Sequence, residues 1–305
     1  MITISDWKSS LCRDLENGSL AKEYDIAFVG EQFVDDRSNW ASDYLKRIAE
    51  EIKSVRFDYN DSALFINSDP IKISTLIIPF LNKDLKVLID ATTLTFPEIL
   101  YLFIYLERNK INFDVLYIQP QDYKQSSDPS STEIQPVRLS IDGLGPKPLP
   151  PYVQTSRKSS MLVFLGFEGH RLGSISNSDI FGMPEFSCLL GVPGFKAGWE
   201  NKAIYNNMPY LTQLNVKSIL LSGANDPIYT YNIIERQHQA AKYDRKNLFL
   251  APFGTKPAGI AAANYAVNNP TNLGIIYDFI QGKNGRSEGT GTAHIWKFIA
   301  RDSID

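Results

Sequence analysis

An α/β chain with mostly parallel sheets is what this sequence predicts, and three observations predict it. Short apolar runs alternate along the chain with segments of helical periodicity, as βαβ units do. The stretch 248–279, LFLAPFGTKPAGIAAANYAVNNPTNLGIIYDF, holds a whole unit of strand, tight loop, helix and strand. A second copy lies upstream. Sliding 88–120 onto 248–280 without a gap brings Leu88, Ala91, Thr95, Pro97, Tyr105, Asn109, Asn112 and Tyr117 onto identical residues at Leu248, Ala251, Thr255, Pro257, Tyr265, Asn269, Asn272 and Tyr277. Self-similarity at a fixed spacing marks a repeated supersecondary unit. The two openings also match over a few residues, Ala27-Phe28-Val29-Gly30-Glu31 against Val163-Phe164-Leu165-Gly166-Phe167-Glu168. The expected architecture is two related Rossmann-like halves, residues 1–142 and 159–305, joined by a linker at 143–158.

In order, residues 1–24 read as a short amphipathic helix with a polar tail. A strand at 26–30 leads into a loop with Asp35, Asp36 and Arg37. Ser38 or Asn39 can cap a helix over 40–53, where Trp40, Tyr44, Ile48 and Ile52 recur at helical spacing. Strands at 55–59 and 63–66 flank Asn60-Asp61 as a hairpin. Ser68-Asp69-Pro70 opens a helix over 71–82, kinked or ended by Pro79. A strand at 87–90, an almost wholly apolar helix at 96–109 and a strand at 115–118 complete the first unit. The run 119–136 is Ser-, Gln- and Pro-rich and reads as loop. A strand is expected at 137–141, and Gly/Pro-rich 143–151 as irregular.

The second half opens with a strand at 161–165 and the loop Gly166-Phe167-Glu168-Gly169-His170-Arg171. Residues 179–188 are loop or a short helical turn, and 189–192 a strand. A helix at 199–214 is expected to break near Pro209. A strand at 216–221 leads to Asp226 as cap and Pro227 at the first position of a helix reaching residue 242. After the strand, helix and strand of 248–277 comes a Gly-rich loop at 281–291. The last strand, 293–300, is expected antiparallel at a sheet edge.

Length and composition suit a globular chain: 305 residues, 43% hydrophobic and 21% charged. A net charge of −3 argues against a bulk nucleic-acid surface. Cys12 and Cys188 form no motif, and the N-terminus has no signal pattern, so a reduced cytoplasmic setting is expected. No apolar stretch is long enough for a bilayer, so no membrane is expected as partner. The histidines at 170, 238 and 294 lack metal-ligand spacing, and neither a metal nor a cofactor is expected. Gly-x-Ser-x-Gly, Walker and Gly-x-Gly-x-x-Gly signatures are all missing.

Ligands of open parallel sheets bind beyond the carboxyl ends of the strands. The loops expected there carry Glu31, Asp35, Asp36, Arg37, Asp90, Thr92, Thr93 and Thr95 in the first half. In the second they carry Glu168, His170 and Arg171; Ser222, Asn225 and Asp226; Gly254, Thr255 and Lys256; and Lys283 with Arg286. Gly254-Thr255-Lys256 stands out, because a strand running through it into a helix started by Pro257 points amide groups and a helix dipole at the loop, beside a lysine. That arrangement suits an anion. The plainer alternative is a capped βα turn. Asp226 reads first as a cap, and Glu168 and Arg171 can pair with each other. No catalytic residue is assigned.

The pattern of strand, Gly254-Thr255-Lys256-Pro257-Ala258 and helix resembles the nucleotide-contacting motif of CARF domains, sensors of cyclic oligoadenylates in prokaryotic antiviral immunity. Two such units in one chain resemble the SAVED arrangement. Where the CARF motif carries a second glycine or a polar residue, this chain has Pro252-Phe253. The resemblance implies a sensor or accessory subunit that binds a nucleotide or cyclic oligonucleotide through Gly254, Thr255 and Lys256. Arg171, Thr95 and Asp226 are nearby candidates, and a protein partner or homo-oligomer would receive the signal. The alternatives are an enzyme on a nucleotide or phosphorylated small molecule, using Asp90, Glu168 or Asp226, and a structural subunit of a protein complex.

Overall fold

The computed structural model describes residues 1–16, 21–31, 35–78, 80–124, 140–141, 144–152, 158–176, 184–214 and 216–301. The first elements are β1 (Ile2–Leu11), α1 (Cys12–Glu16), β2 (Tyr24–Gly30), α2 (Asp36–Ile48), β3 (Ala49–Asp58), β4 (Ala63–Ile66) and β5 (Asp69–Lys72). Next come β6 (Val87–Asp90), α3 (Phe96–Arg108), β7 (Phe113–Tyr123), β8 (Ser140–Ile141), β9 (Lys147–Pro148), β10 (Ser159–Phe164) and α4 (Gly169–Ser176). The chain continues with β11 (Glu185–Gly191), α5 (Trp199–Gln213), β12 (Ser218–Ser222), α6 (Pro227–Tyr243), β13 (Asn247–Ala251), α7 (Lys256–Asn268), β14 (Leu273–Tyr277), β15 (Gln281–Gly282) and β16 (Ser287–Ala300). The fold is mixed α/β.

Two units partition these elements. Unit 1 is Met1–Tyr123 with Asn284–Asp305, and unit 2 is Lys124–Lys283. The division differs from the expected 1–142 and 159–305 because β16 pairs with β1 and β7, inside the first sheet. It is an interior strand there, not the edge of the second sheet. Of the expected linker, 143 and 153–157 lie outside the described residues. So do 125–139 of the expected loop and strand, 179–183, and Pro79.

The sheet of unit 1 has eight strands in the order β1-β16-β7-β6-β2-β3-β4-β5. Its centre, β7-β6-β2-β3, is parallel, and the pairs flanking it are antiparallel. β6 is buried along its whole length, as a strand between parallel neighbours and under helices must be. One face packs on α1 and α2 through Cys12, Tyr44, Leu45, Leu116 and Ile295. The other meets α3, where Phe103 lies edge-on against Phe113 and Phe298. Odd and even residues of β16 divide between these faces, as the strand period requires.

Several local expectations for this unit are corrected. Residues 2–11 form a strand and not the expected helix, because Ile2–Leu11 pairs along β16. α2 begins at Asp36, since the Asp35 carboxylate takes the Ser38 N–H, and it ends at Ile48 because the next residues pair with β2. The expected helix after Pro70 is a strand, β5, turned back on β4 through Asn67 at positive φ (54°).

In unit 2 the sheet order is β12-β11-β10-β13-β14-β9, parallel except for the edge strand β9. The chain starts at β10 in the middle and steps outward to β11 and β12. It then returns to β13 on the other side of β10. α4 and α5 pack together over one face through Leu172, Ile175, Ala203 and Leu211, and α6 packs with α7. Here too some expectations change. His170 and Arg171 lie in the first turn of α4, β11 begins at Glu185, and α5 runs unbroken through Pro209. β9 gives two residues of the Gly/Pro-rich stretch a strand pairing.

The two repeated segments coincide element by element. β6 and β13 start at 87 and 247, α3 and α7 span 96–108 and 256–268, and β7 and β14 start at 113 and 273. Thr95 and Thr255 precede the helices in the same extended backbone (φ −80° and −71°). Asn109 and Asn269 close them, each amide side chain donating to the carbonyl of Tyr105 or Tyr265. The glycines ahead agree as well. A Cβ on Gly30 would lie 2.2 Å from the Thr93 carbonyl oxygen, and one on Gly166 would lie 2.9 Å from that of Phe253, the residue matching Thr93.

Candidate functional site

Strand order in unit 2 reverses between β10 and β13, and crevices at such points, beyond the carboxyl ends of the strands, are where open parallel sheets hold ligands. A recess of about 230 Å³, counted out to its open mouth, sits at those ends. Its wall comes from the ends of β10 (Phe164, Leu165), β11 (Leu189, Leu190, Gly191) and β12 (Ser222, Gly223). The first turns of α6 (Thr230) and α7 (Ala258), with Gly254 and Thr255, complete it.

Of the residues singled out from sequence, Gly254 and Thr255 line the recess. Gly254 permits a close approach: a Cβ there would stand 3.1 Å from the Leu165 carbonyl oxygen and 3.2 Å from Phe164 Cβ. The Thr255 hydroxyl donates to the Ala224 carbonyl (2.8 Å) and accepts a long bond from the Ala258 N–H (3.4 Å). It thus ties the β12–α6 loop to the start of α7. Lys256 follows as the first residue of α7, half-buried and outside the recess wall.

The other candidates have structural partners. Arg171 Nε and Nη2 grip the Asp278 carboxylate at 2.6 and 2.8 Å, Nη1 donates to the Phe253 carbonyl (2.9 Å), and the guanidinium lies over the Phe253 ring. This buried fork ties α4 to the end of β14 and to the β13–α7 loop. Asp226 caps α6, accepting the Tyr229 N–H at 2.8 Å. Thr95 belongs to unit 1, where its N–H donates to Glu98 Oε2 (2.6 Å). Asp90 accepts from the Thr92 N–H and the Thr93 hydroxyl, and Thr93 Oγ1 accepts in turn from the Gly30 N–H. Glu168 is buried in the loop between β10 and α4, just ahead of Gly169. Beside it the amides of Asn206 and Asn207 donate to the carbonyls of Phe167 and Gly166.

Burial pushes the thiols of Cys12 and Cys188 up to about 12, which leaves them protonated and inert as nucleophiles. Among the described residues no group of three or more His, Cys, Asp or Glu could hold a metal ion. No described helix is long and apolar enough to cross a membrane.

Sequence reasoning missed the wall contributed by Leu189, Leu190, Thr230 and Ala258. Only strand order brings them together. Thr230 alone left a trace, lying one helical turn after the Asp226-Pro227 start. It also missed the buried cluster of Asp35, Arg37 and Ser287, whose members lie 250 residues apart. In it, burial works to raise the Asp35 carboxyl, but Arg37, Ser287 and Arg286 outweigh this and hold it at about 2.

No family model matches the chain, and no curated protein does.

Proposed function

We propose that this chain is a nucleotide- or phosphate-ligand-binding sensor or accessory subunit of a prokaryotic antiviral defence system. On this reading it is built from two related Rossmann-like halves and akin to the CARF and SAVED proteins its Gly254-Thr255-Lys256-Pro257 motif resembles. The relation between the halves is supported by the coincident bounds of the repeated segments and by the paired glycines, Gly30 and Gly166. The ligand reading is carried by one difference at matching positions. In the first segment the start of α3 holds its own anion, the carboxylate of Glu98, on the Thr95 N–H. In the second the matching residue is Ala258, on the wall of the recess, and the residue before Pro257 is a lysine. A helix start with alanine at the position of Glu98 and a lysine as its first residue suits an anion.

Titration with inorganic phosphate and with nucleotides, wild type against Lys256→Ala, tests the reading. A charge-assisted contact adds about 1.5–3 kcal/mol, so the variant should bind about tenfold more weakly or worse. Equal affinities would remove Lys256 from the site and leave Gly-Thr-Lys-Pro as a capped turn.

A protein partner is favoured by a separate observation. β12 is an edge strand, SILLS, without a charge or proline, and its Ile219 and Leu221 are exposed. Such edges accept a further strand unless blocked. Leu221→Lys should abolish co-purification with a neighbour that pairs there, and unchanged recovery would end this reading. The enzyme reading gains nothing comparable, since Asp90 and Asp226 are both engaged in turn and cap bonds.

A further inference from the structure

We propose that unit 1 carries an oxyanion site of its own, formed by Arg286 above the buried Asp35–Arg37 pair. Asp35 is already saturated. Its Oδ2 accepts from Arg37 Nη2 (2.6 Å), Arg37 Nε (3.2 Å) and the Ser287 hydroxyl (2.7 Å), and its Oδ1 from the Ser38 N–H (3.2 Å). Arg286 is left over. Its Nε is buried without a hydrogen-bond partner among the described residues, and the nearest carboxylate oxygen, Asp35 Oδ2, stands 3.6 Å away. Two guanidinium groups thus share the Asp35 carboxylate, and only that of Arg37 is hydrogen-bonded to it. Arg37 is shut in, its side chain 4% exposed, whereas that of Arg286 is 22% exposed and reachable.

A buried donor on a charged group is costly unless paired, and a guanidinium fork matches the two oxygens of a carboxylate or phosphoryl group. The place agrees with that use. Asp35 and Arg37 follow β2 at its carboxyl end and open α2, while Arg286 and Ser287 enter beside the carboxyl end of β7. The occupant is a small oxyanion, and it needs none of the residues of the α7 site.

Chemical modification of the full wild-type chain by phenylglyoxal, read by peptide mass spectrometry, tests this. At constant ionic strength, phosphate or acetate should slow modification of Arg286 at least fivefold relative to chloride. The better protectant tells a phosphoryl from a carboxylate ligand. Equal rates in all three salts would overturn the proposal. In phosphate titrations, Arg286→Gln should lose one class of site that Lys256→Ala keeps. An Arg286→Gln isotherm identical to the wild type would also overturn it. Failure of the α7 site alone would leave the protection of Arg286 intact.

Discussion

The loops after β6 and after β13 occupy matching positions and solve the same problem in opposite ways. Each must turn a buried parallel strand into a helix against a neighbouring glycine. The first, from Asp90 to Thr95, closes on itself. Asp90 holds the Thr92 N–H and Thr93 hydroxyl, Thr92 Oγ1 accepts from the Ile118 N–H, and Glu98 takes the helix start. The second, from Leu250 to Thr255, has an apolar residue or proline wherever the first has Asp90, Thr92, Thr93 and Glu98. From it the Thr255 hydroxyl reaches outward, to the Ala224 carbonyl of another loop. A loop that satisfies its own polar groups is scaffold. One stripped of them keeps, at its helix start, the Thr255 cap on the Ala258 N–H.

The largest way to break the parallel is to fill the glycines. Gly30→Ala puts a methyl 2.2 Å from a backbone oxygen and should cost about 3 kcal/mol or more, whereas Gly166→Ala, at 2.9 Å, should cost about 1–2 kcal/mol. Urea denaturation read separately in each unit measures both, and equal costs would mean that the approach at Gly30 is no tighter than the one at Gly166.

Next comes pH. Each unit buries one histidine, His294 in the first and His238 in the second, and burial depresses both from 6.5 to about 4. Between those values the unfolded chain binds protons that the native chain does not. The histidine contribution to stability should therefore fall as pH drops from 6.5 to 4, by up to about 3 kcal/mol per histidine, and change little further below. Unfolding midpoints from pH 7.5 to 4 should show this slope, and His294→Gln or His238→Gln should flatten it. A flat wild-type profile would show that neither imidazole is shielded.

Exchanging the helix starts is a smaller test. Glu98→Gln should cost about 1–3 kcal/mol in unit 1, because a carboxylate that accepts from Thr95 and Phe57 loses its charge. Ala258→Glu should give α7 an internal anion and weaken phosphate binding about tenfold, as the loss of a contact worth about 1.4 kcal/mol would. Unchanged binding in that variant would separate the recess from the ligand. Smallest of all, Asp226→Ala should cost about 1 kcal/mol as a lost cap and leave phosphate affinity unchanged.

What could be read from the chain beforehand follows from range. The repeated unit was legible because Pro97, Pro257, Asn109 and Asn269 mark helix ends within a few residues of themselves. β1 and the interior place of β16 were not, because their antiparallel pairing partners lie far away, and β5 was not, because Ser68-Asp69-Pro70 has the composition of a helix start although the strand pairs with nearby β4. α4 was hidden by Gly169 and Gly173. Both look like loop residues, yet a Cβ on them would strike Asn206 and Tyr210 of α5. The cap role of Asp226 was readable from Asp-Pro. The engagement of Arg171 was not, because Asp278 lies 107 residues on.

The placement of β16 bears on biosynthesis. Its strand is the filling between β1 and β7, yet it is translated after all of unit 2. On the ribosome, unit 2 can fold as soon as its contiguous stretch has emerged, while β1 and β7 wait with open edges. Such edges are where chains pair wrongly with one another. A truncation before Ser287 should therefore leave unit 2 folded and unit 1 prone to aggregation. In the finished molecule the wait ends in a clasp, with the Met1 ammonium on the Arg301 carbonyl and the Arg301 N–H on that of Met1, both at 2.8 Å.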